Sequence, residues 1–466
     1  MAGYFAVGEQ KIRPSAYFNV SKKGEENTFG AVDGVVAVLF KSSFGPLGTV
    51  KVIEREDGYA QVYGTGGTTD ALREALYGGA QKLIACRVGK EGTPESVSLS
   101  ADTGKVKITA KYPGKMEFSV SIRKKLTDET RKECIIYHGT QEFEKVSFTA
   151  GDDEVKALVE GFKKSDNFVA EAEGEGKGLI SEVSQTAFTP GTDPTVTNAE
   201  YSKALGEVEK YYFNTICVDT EDKGVHELLS GFLNRIYNSG QFGLGVVAEK
   251  DTQELEERFA AAAGFDKENM IYVGNAKVKA KEETLEGYQV AALAAGAIAA
   301  CPSNKSITHT VIERYTEILE LLTNSQYEKA IQNGCLALSY NADGKVWFDS
   351  GVNTLLHPDE DHDEGWKKIR RVKTRYELLY RCNAQADAMS GKVDNDVNGR
   401  AAIIGKLQKI CNDMVQEEKL VSATVQESTE YAADRDYCYF MFDVVDKDSA
   451  EHIYLFYKFR FSTIEE

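Results

Sequence analysis

The chain has 466 residues, 42% hydrophobic and 27% charged, with only 8 Pro. That supports two to four folded domains and excludes extended disorder. Against 55 Lys+Arg stand 73 Asp+Glu, a net charge of −18, so the surface repels nucleic-acid phosphates and anionic lipid, and nucleic acid and direct membrane insertion drop out as partners.

The 8 Cys stand singly with no CxxC and read as buried thiols of a reducing cytoplasm, not as a disulfide framework. The opening MAGYFAVGEQKIR lacks a basic head ahead of an apolar core, which predicts no secretion signal. Lys11 to Val20 is β-prone and is followed by a polar stretch, Ser21 to Gly30. Val35 to Phe40 and Lys82 to Val88 read as buried strands around a helix from Asp70 to Tyr77, with Thr69 placed to cap it and Gly78 and Gly79 to end it.

From Val97 to about Ala150, strand-like segments follow one another (Lys105 to Ala110, Glu117 to Ile122, Cys134 to His138), which predicts an inserted β domain. The polar stretch Ala170 to Asn198 reads as a linker or exposed loop. Strands then alternate with helices: Phe213 to Val218, Gly243 to Ala248 and Met270 to Val273 against helices near Ala199 to Lys210, Lys223 to Tyr237, Gln253 to Ala263 and Glu283 to Ala300. That order predicts a mostly parallel sheet with helices on both faces. The Ala-rich run Val290 to Cys301 falls short of the ~20 residues a bilayer needs and reads as a helix buried on all sides. Ser325 to Glu328 has the form of a capping box, closed by Asn333 and Gly334, ahead of a hairpin from Cys335 to Tyr340 and Lys345 to Ser350. Helices are expected at Thr374 to Met389 and Gly399 to Glu417. The fold class is α/β, mixed α+β and multidomain: an α/β core (24–95 with 180–340), an inserted β-rich outer domain and linker (96–179), and a C-terminal inner α+β assembly domain (341–451).

The two ends read as arms, 1–23 and 452–466. His452 to Phe461 alternates with period two: Ile453, Leu455, Tyr457, Phe459 and Phe461 on one side, Tyr454, Phe456, Lys458 and Arg460 on the other. It follows a polar joint, Asp446 to Glu451, and could be donated to a neighbour's sheet edge instead of pairing at home.

Other motifs carry less. Gly64, Gly66 and Gly67 precede a helix, but no GxGxxG or Lys-Ser/Thr follows, so no nucleotide site is expected. Asp394, Asp396, Asn398 and Gly399 open like a calcium loop, yet its twelfth position is Gly405, and a turn ending in a capped helix accounts for them. His357, Asp359, Asp361, His362 and Asp363 read as a solvated acidic loop. No cofactor or metal is expected. The cluster Lys367, Lys368, Arg370, Arg371, Lys373 and Arg375, with Arg400, Lys406 and Lys409 as a second surface, stands out from the acidic background and is either a solvated face or a contact with an acidic partner.

The stretch Tyr288 to Leu356, with its "AGAIA", "PSNKSIT", "LTNSQYEKAIQNG" and "VNTL", resembles the core of phage tail sheath proteins. Weaker likenesses are Arg13, Pro14 and Tyr17, "GPLG" at Gly45 to Gly48, "LYGGAQKLIACRV" at Leu76 to Val88, "YPG" at Tyr112 to Gly114 and "GKVDNDVNGR" at Gly391 to Arg400. Two departures are Ser15, where the family commonly has Gly, and Met116 to Phe118, where a Gly-Asn pair often follows the "YPG".

The resemblance implies a structural, non-enzymatic subunit assembled in the bacterial host cytoplasm into a phage tail or tail-like bacteriocin. Its copies would stack as hexameric rings in a helical array around an inner tube, with baseplate and tail terminator proteins at the ends. The exchanging positions would be Ile12, Arg13, Tyr17 and Val20 at one end and Ile453, Leu455, Tyr457, Phe459 and Phe461 at the other, and the basic residues above would meet the tube. Two rivals stand beside it: an α/β enzyme or ligand-binding protein with its site at the sheet's carboxyl edge, and a ring-forming shell component that does not contract.

Overall fold

A computed structural model describes residues 3–4, 17–18, 33–54, 58–359 and 362–460. Its centre is a seven-stranded sheet in the order Cys335–Leu336, Met270–Val273, Leu244–Ala248, Thr215–Val218, Val35–Phe40, Lys82–Arg87, Val50–Ile53. All neighbours are parallel except the last pair. Strand alternation sorts the side chains into two cores. Val36, Val38 and Phe40 face the helices Asp70–Gly78 and Tyr288–Ala300, while Val35, Ala37 and Leu39 face Asn198–Val208, Lys223–Asn238 and Leu255–Phe265. This is the helix-on-both-faces arrangement expected of parallel strands buried on both sides.

The Ala-rich helix is buried along almost its whole length. It begins at Tyr288 instead of Glu283, because Lys277–Ala280 and Glu283–Glu286 first form a hairpin and Gly287 (φ +56°) turns out of it. Thr69 does not cap the helix after it, since its own backbone is already helical; Thr68 turns to the Lys41 backbone instead. Gly79, at φ +113°, closes that helix as expected.

The inserted region holds a four-stranded antiparallel sheet, in the order Val183–Ala187, Phe118–Lys125, Asp128–His138, Gln141–Thr149, packed with helix Glu154–Phe162. Beside it Ser96–Ala110 pairs with Phe168–Ile180. The stretch Ala170 to Asn198 is therefore not a linker. Beyond Ala170 this ribbon is exposed through Leu179, so nothing selects apolar residues there and its polar, Gly-rich composition hides the strand. Phe44 from the core meets Phe118 and Phe143 edge-on. The buried Arg87 guanidinium donates to the carbonyls of Ser42, Gly45 and Pro113, which ties the insert's root to the sheet, and burial pushes its pKa down to about 10.

Two further expectations are corrected. The capping box is Thr323 with Gln326, not Ser325 with Glu328, and the helix runs Asn324–Gln332. Cys335–Leu336 joins the large parallel sheet, and only Leu338–Tyr340 pairs with Val346–Phe348. Toward the C-terminus, helices Ile369–Met389 and Val397–Gln416 pack with the two-stranded sheet Leu420–Glu427 and Phe440–Asp446 around Leu407, Cys411, Met414, Leu420, Ala423 and Val425. Asp396 caps the second helix, its Oδ1 accepting from Gly399 N at 2.7 Å, as the turn reading of Asp394 to Gly399 expects. All eight cysteines are free thiols, six of them buried. Among the described residues no helix is long and apolar enough to cross a membrane.

Candidate assembly interface

The carboxyl edge of the large sheet, where a doubly wound fold opens a ligand crevice, is filled by the chain itself. Asp219 follows strand Thr215–Val218 at the point where sheet order reverses, and is 1% exposed. One of its carboxylate oxygens accepts from Lys41 N at 2.7 Å and from Thr68 Oγ1, the other from Tyr201 OH, and Lys41 Nζ lies 3.2 Å away. Next to it Asp70 accepts from Tyr288 OH and Gln289 Nε2. Gly67, at φ +68°, passes so close to Lys41 O that an added Cβ would meet it at 2.5 Å. Gly67 thus serves close backbone packing and Gly64 leaves room for the Met116 side chain, while the carboxylates of Asp219 and Asp70 are spent on the chain's own groups.

The C-terminal sheet is different in kind: among the described residues it is two strands wide, with no further strand on either edge. Phe440, Phe442 and Val444 of its outer strand, and Ile403, Ile404 and Ile410 of the helix beneath, are only half-buried. Just beyond it, residues 447–460 form no strand in their own molecule. Ile453, Leu455 and Tyr457 are exposed, as are Phe456 at 93% and Phe459 at 94%. The Tyr457 and Phe459 rings stack at 6.3 Å, as two residues on one side of an extended chain would. Of the other predicted exchange positions, Ile12, Arg13, Val20 and Phe461 lie outside the described residues; Tyr17 begins a two-residue strand, Tyr17–Phe18, parallel to Gly3–Tyr4.

The basic cluster is largely occupied from within. Arg371 grips Asp446 through Nε at 2.8 Å and Nη2 at 2.6 Å, and Arg375 adds an Nε contact at 3.1 Å. Burial alone would raise the Asp446 pKa, but hydrogen bonds from Arg371 and the charge of Arg375 outweigh it and hold the carboxyl below its usual range. Lys368 Nζ donates to Asp448 at 2.9 Å, Arg370 Nη1 to Ser449 Oγ at 2.6 Å, and Lys367 pairs with Glu364.

Lys373 lies inside the molecule. Its ammonium donates to the carbonyls of Ile298 (2.6 Å) and Cys301 at the C-terminus of the Ala-rich helix, where the macrodipole and unpaired carbonyls favour a cation. Nothing in the spacing of the cluster distinguished this one lysine, because its partner helix lies about seventy residues away. Arg400 is tied to Glu427 at 3.0 Å, whereas Lys406 and Lys409 stand exposed on the outer face of helix Val397–Gln416 with no carboxylate partner among the described residues.

These features describe a protein whose sheet crevice is closed at Asp219 and Asp70 by its own chain and whose exposed C-terminal segment lies beside a two-stranded sheet, the arrangement of a structural subunit. Residues 195–354 match the family model of the phage tail sheath protein central domain, and the fold of the whole chain is similar to that of solved sheath proteins. The sheath tail protein of Desulfitobacterium hafniense is similar over 93% of this chain and 100% of its own, with 21% identity and a TM-score of 0.70. The anti-feeding prophage helical sheath in its contracted state is similar over 97% and 99%, with 11% identity and a TM-score of 0.57. A sequence relative is the phage-like element PBSX protein XkdK of Bacillus subtilis, 23% identical over 394 residues, 80% of this chain and 79% of that one.

Proposed function

We propose that the chain is the sheath subunit of a contractile phage tail or phage-tail-like particle. It polymerises as stacked hexameric rings around an inner tube and contracts to drive that tube through a target envelope. The observation that carries this is the C-terminal segment, apolar on alternate residues and exposed, beside a two-stranded sheet that leaves both edges and part of its supporting helix uncovered. A strand donated from a neighbouring copy would satisfy the edge's backbone groups, and Ile453, Leu455, Tyr457 and Phe459 would cover the half-buried apolar row. Each copy gives and receives, so the contact is heterologous and propagates. The fold shared with a sheath described in a contracted state supports the mechanical part of the proposal.

The extended array is then a kinetic trap above the contracted one, released as new subunit contacts form, with no nucleotide consumed. Lys406 and Lys409 are the proposed tube contact, and baseplate and terminator proteins the partners at the ends. Assembly in the host cytoplasm precedes release of the particle. Negative-stain microscopy of the purified chain should show long hollow tubes, and only small particles after deletion of residues 452–466. Tubes of normal length from the deleted chain would refute donation of the C-terminal strand.

A further inference from the structure

The joint between the hairpin and the free arm, Asp446 to Glu451, is held by side chains at Asp446, Asp448, Ser449 and Glu451 and by the backbone at Lys447. Asp446, Asp448 and Ser449 are bound as described above, and Glu451 accepts from Ser306 Oγ at 2.8 Å and Thr308 Oγ1 at 3.2 Å, with Lys368 Nζ 3.4 Å away. Lys368, Arg371 and Arg375 recur at three- and four-residue spacing, so one side of one helix supplies the cations. At His452 the grip stops and strong exposure begins.

The direction of the joint is as telling as its contacts. Asp446 stands opposite Leu420, and Lys447 N donates to Lys419 O at 3.1 Å, so the chain runs on past the end of the ladder in the direction of its strand. It then reaches Ser306 and Thr308 in the loop that follows the Ala-rich helix. Pairing the arm with its own strand, Phe440–Asp446, would require a reversal within this segment. Six residues are more than a hairpin loop needs. A slack joint would present the arm to its own sheet edge at an effective concentration of about a millimolar, well above that of a neighbour's arm in dilute solution.

We propose that the basic cluster Lys368, Arg370, Arg371 and Arg375 is a clamp that prevents self-pairing. By fixing Asp446–Glu451 along the helix and against the core, it keeps the arm directed away from its own sheet edge and available to a second copy of the chain. The proposal rests on the reading of the arm as a donated strand. It gives the cluster a role distinct from tube contact.

Two variants loosen the joint by different means: Asp448→Asn with Glu451→Gln neutralises the two carboxylates paired with Lys368, and a six-residue Gly-Ser insertion between Glu451 and His452 leaves every clamp contact in place but gives the arm slack. Hydrogen exchange on the dilute monomer should show the amides of residues 452–460 unprotected in the parent chain and protected about ten-fold or more in both variants. Polymerisation of both should slow by a similar factor. Arm amides that stay unprotected in both variants, with polymerisation at the parental rate, would overturn the clamp. The chain lacking residues 452–466 separates the two ideas: if it polymerises normally the donated-strand reading falls, and if it does not, the clamp is judged on the variants alone.

Discussion

At the scale of single residues, backbone conformation exposes a cost that composition conceals. Glu117 adopts φ +60°, a left-handed conformation that a side chain with a Cβ takes only under strain. It does so because the buried Glu95 carboxylate binds two successive amides, Glu117 N at 2.8 Å and Phe118 N at 2.9 Å. The sheath resemblance places a Gly-Asn pair in this neighbourhood, and both residues tolerate such a φ. The exposed Glu117 side chain contributes only a surface pair with Lys115 at 3.4 Å, which is worth little. Glu117→Asn is therefore expected to stabilise the fold by about 1 kcal/mol, read as a higher denaturation midpoint with unchanged slope. A lower midpoint would mean that the carboxylate matters more than the strain.

At the scale of elements, helices Asp70–Gly78 and Tyr288–Ala300 meet backbone to backbone. A Cβ on Gly296 would lie 2.1 Å from Ala75 O, and one on Gly78 2.2 Å from Leu293 O. The "AGAIA" pattern is thus a contact requirement. Replacing a mid-helix glycine by alanine normally gains about 1 kcal/mol in helix propensity, but the overlap here forces the helices apart at about 1–3 kcal/mol or more. Gly296→Ala is expected to be destabilising, while Gly231→Ala, where an added Cβ meets nothing within 4 Å, should stabilise. Urea unfolding of the two variants tests the contrast, and equal effects would deny the close approach. Such elements are legible where burial imposes an apolar pattern, periodic on one buried face or continuous on two. Val35–Phe40 and Met270–Val273 were read to the residue from continuous apolar runs. Strand Phe168–Ile180 was not, because an exposed ribbon imposes no apolar period, and neither was the hairpin before Tyr288, whose short strands blend into the helix pattern.

At the scale of the molecule, charge decides which surfaces can attract. Copies carrying −18 each repel, so an electrostatic contact with an acidic partner needs a local excess of cations. The sequence displays the first basic cluster but not its partners, since Asp446, Asp448 and Glu451 lie some seventy residues or more beyond the cations they neutralise. Folding turns the first cluster inward and leaves Lys406 and Lys409 outward, on a helix face shared with the small residues Ala402 and Gly405. A small-residue face admits close approach, and two uncompensated lysines supply the field, which is why this helix is the one we propose as the tube contact. Lys406→Glu with Lys409→Glu should leave sheath self-assembly intact and sharply reduce co-sedimentation with tube at about 0.15 M salt, whereas the parent chain should lose tube binding only as salt rises well above that. Charge reversal with unchanged loading at every salt concentration would remove this helix from the tube interface and direct attention to Lys367, whose own pair with Glu364 at 2.8 Å is exposed enough to be exchanged.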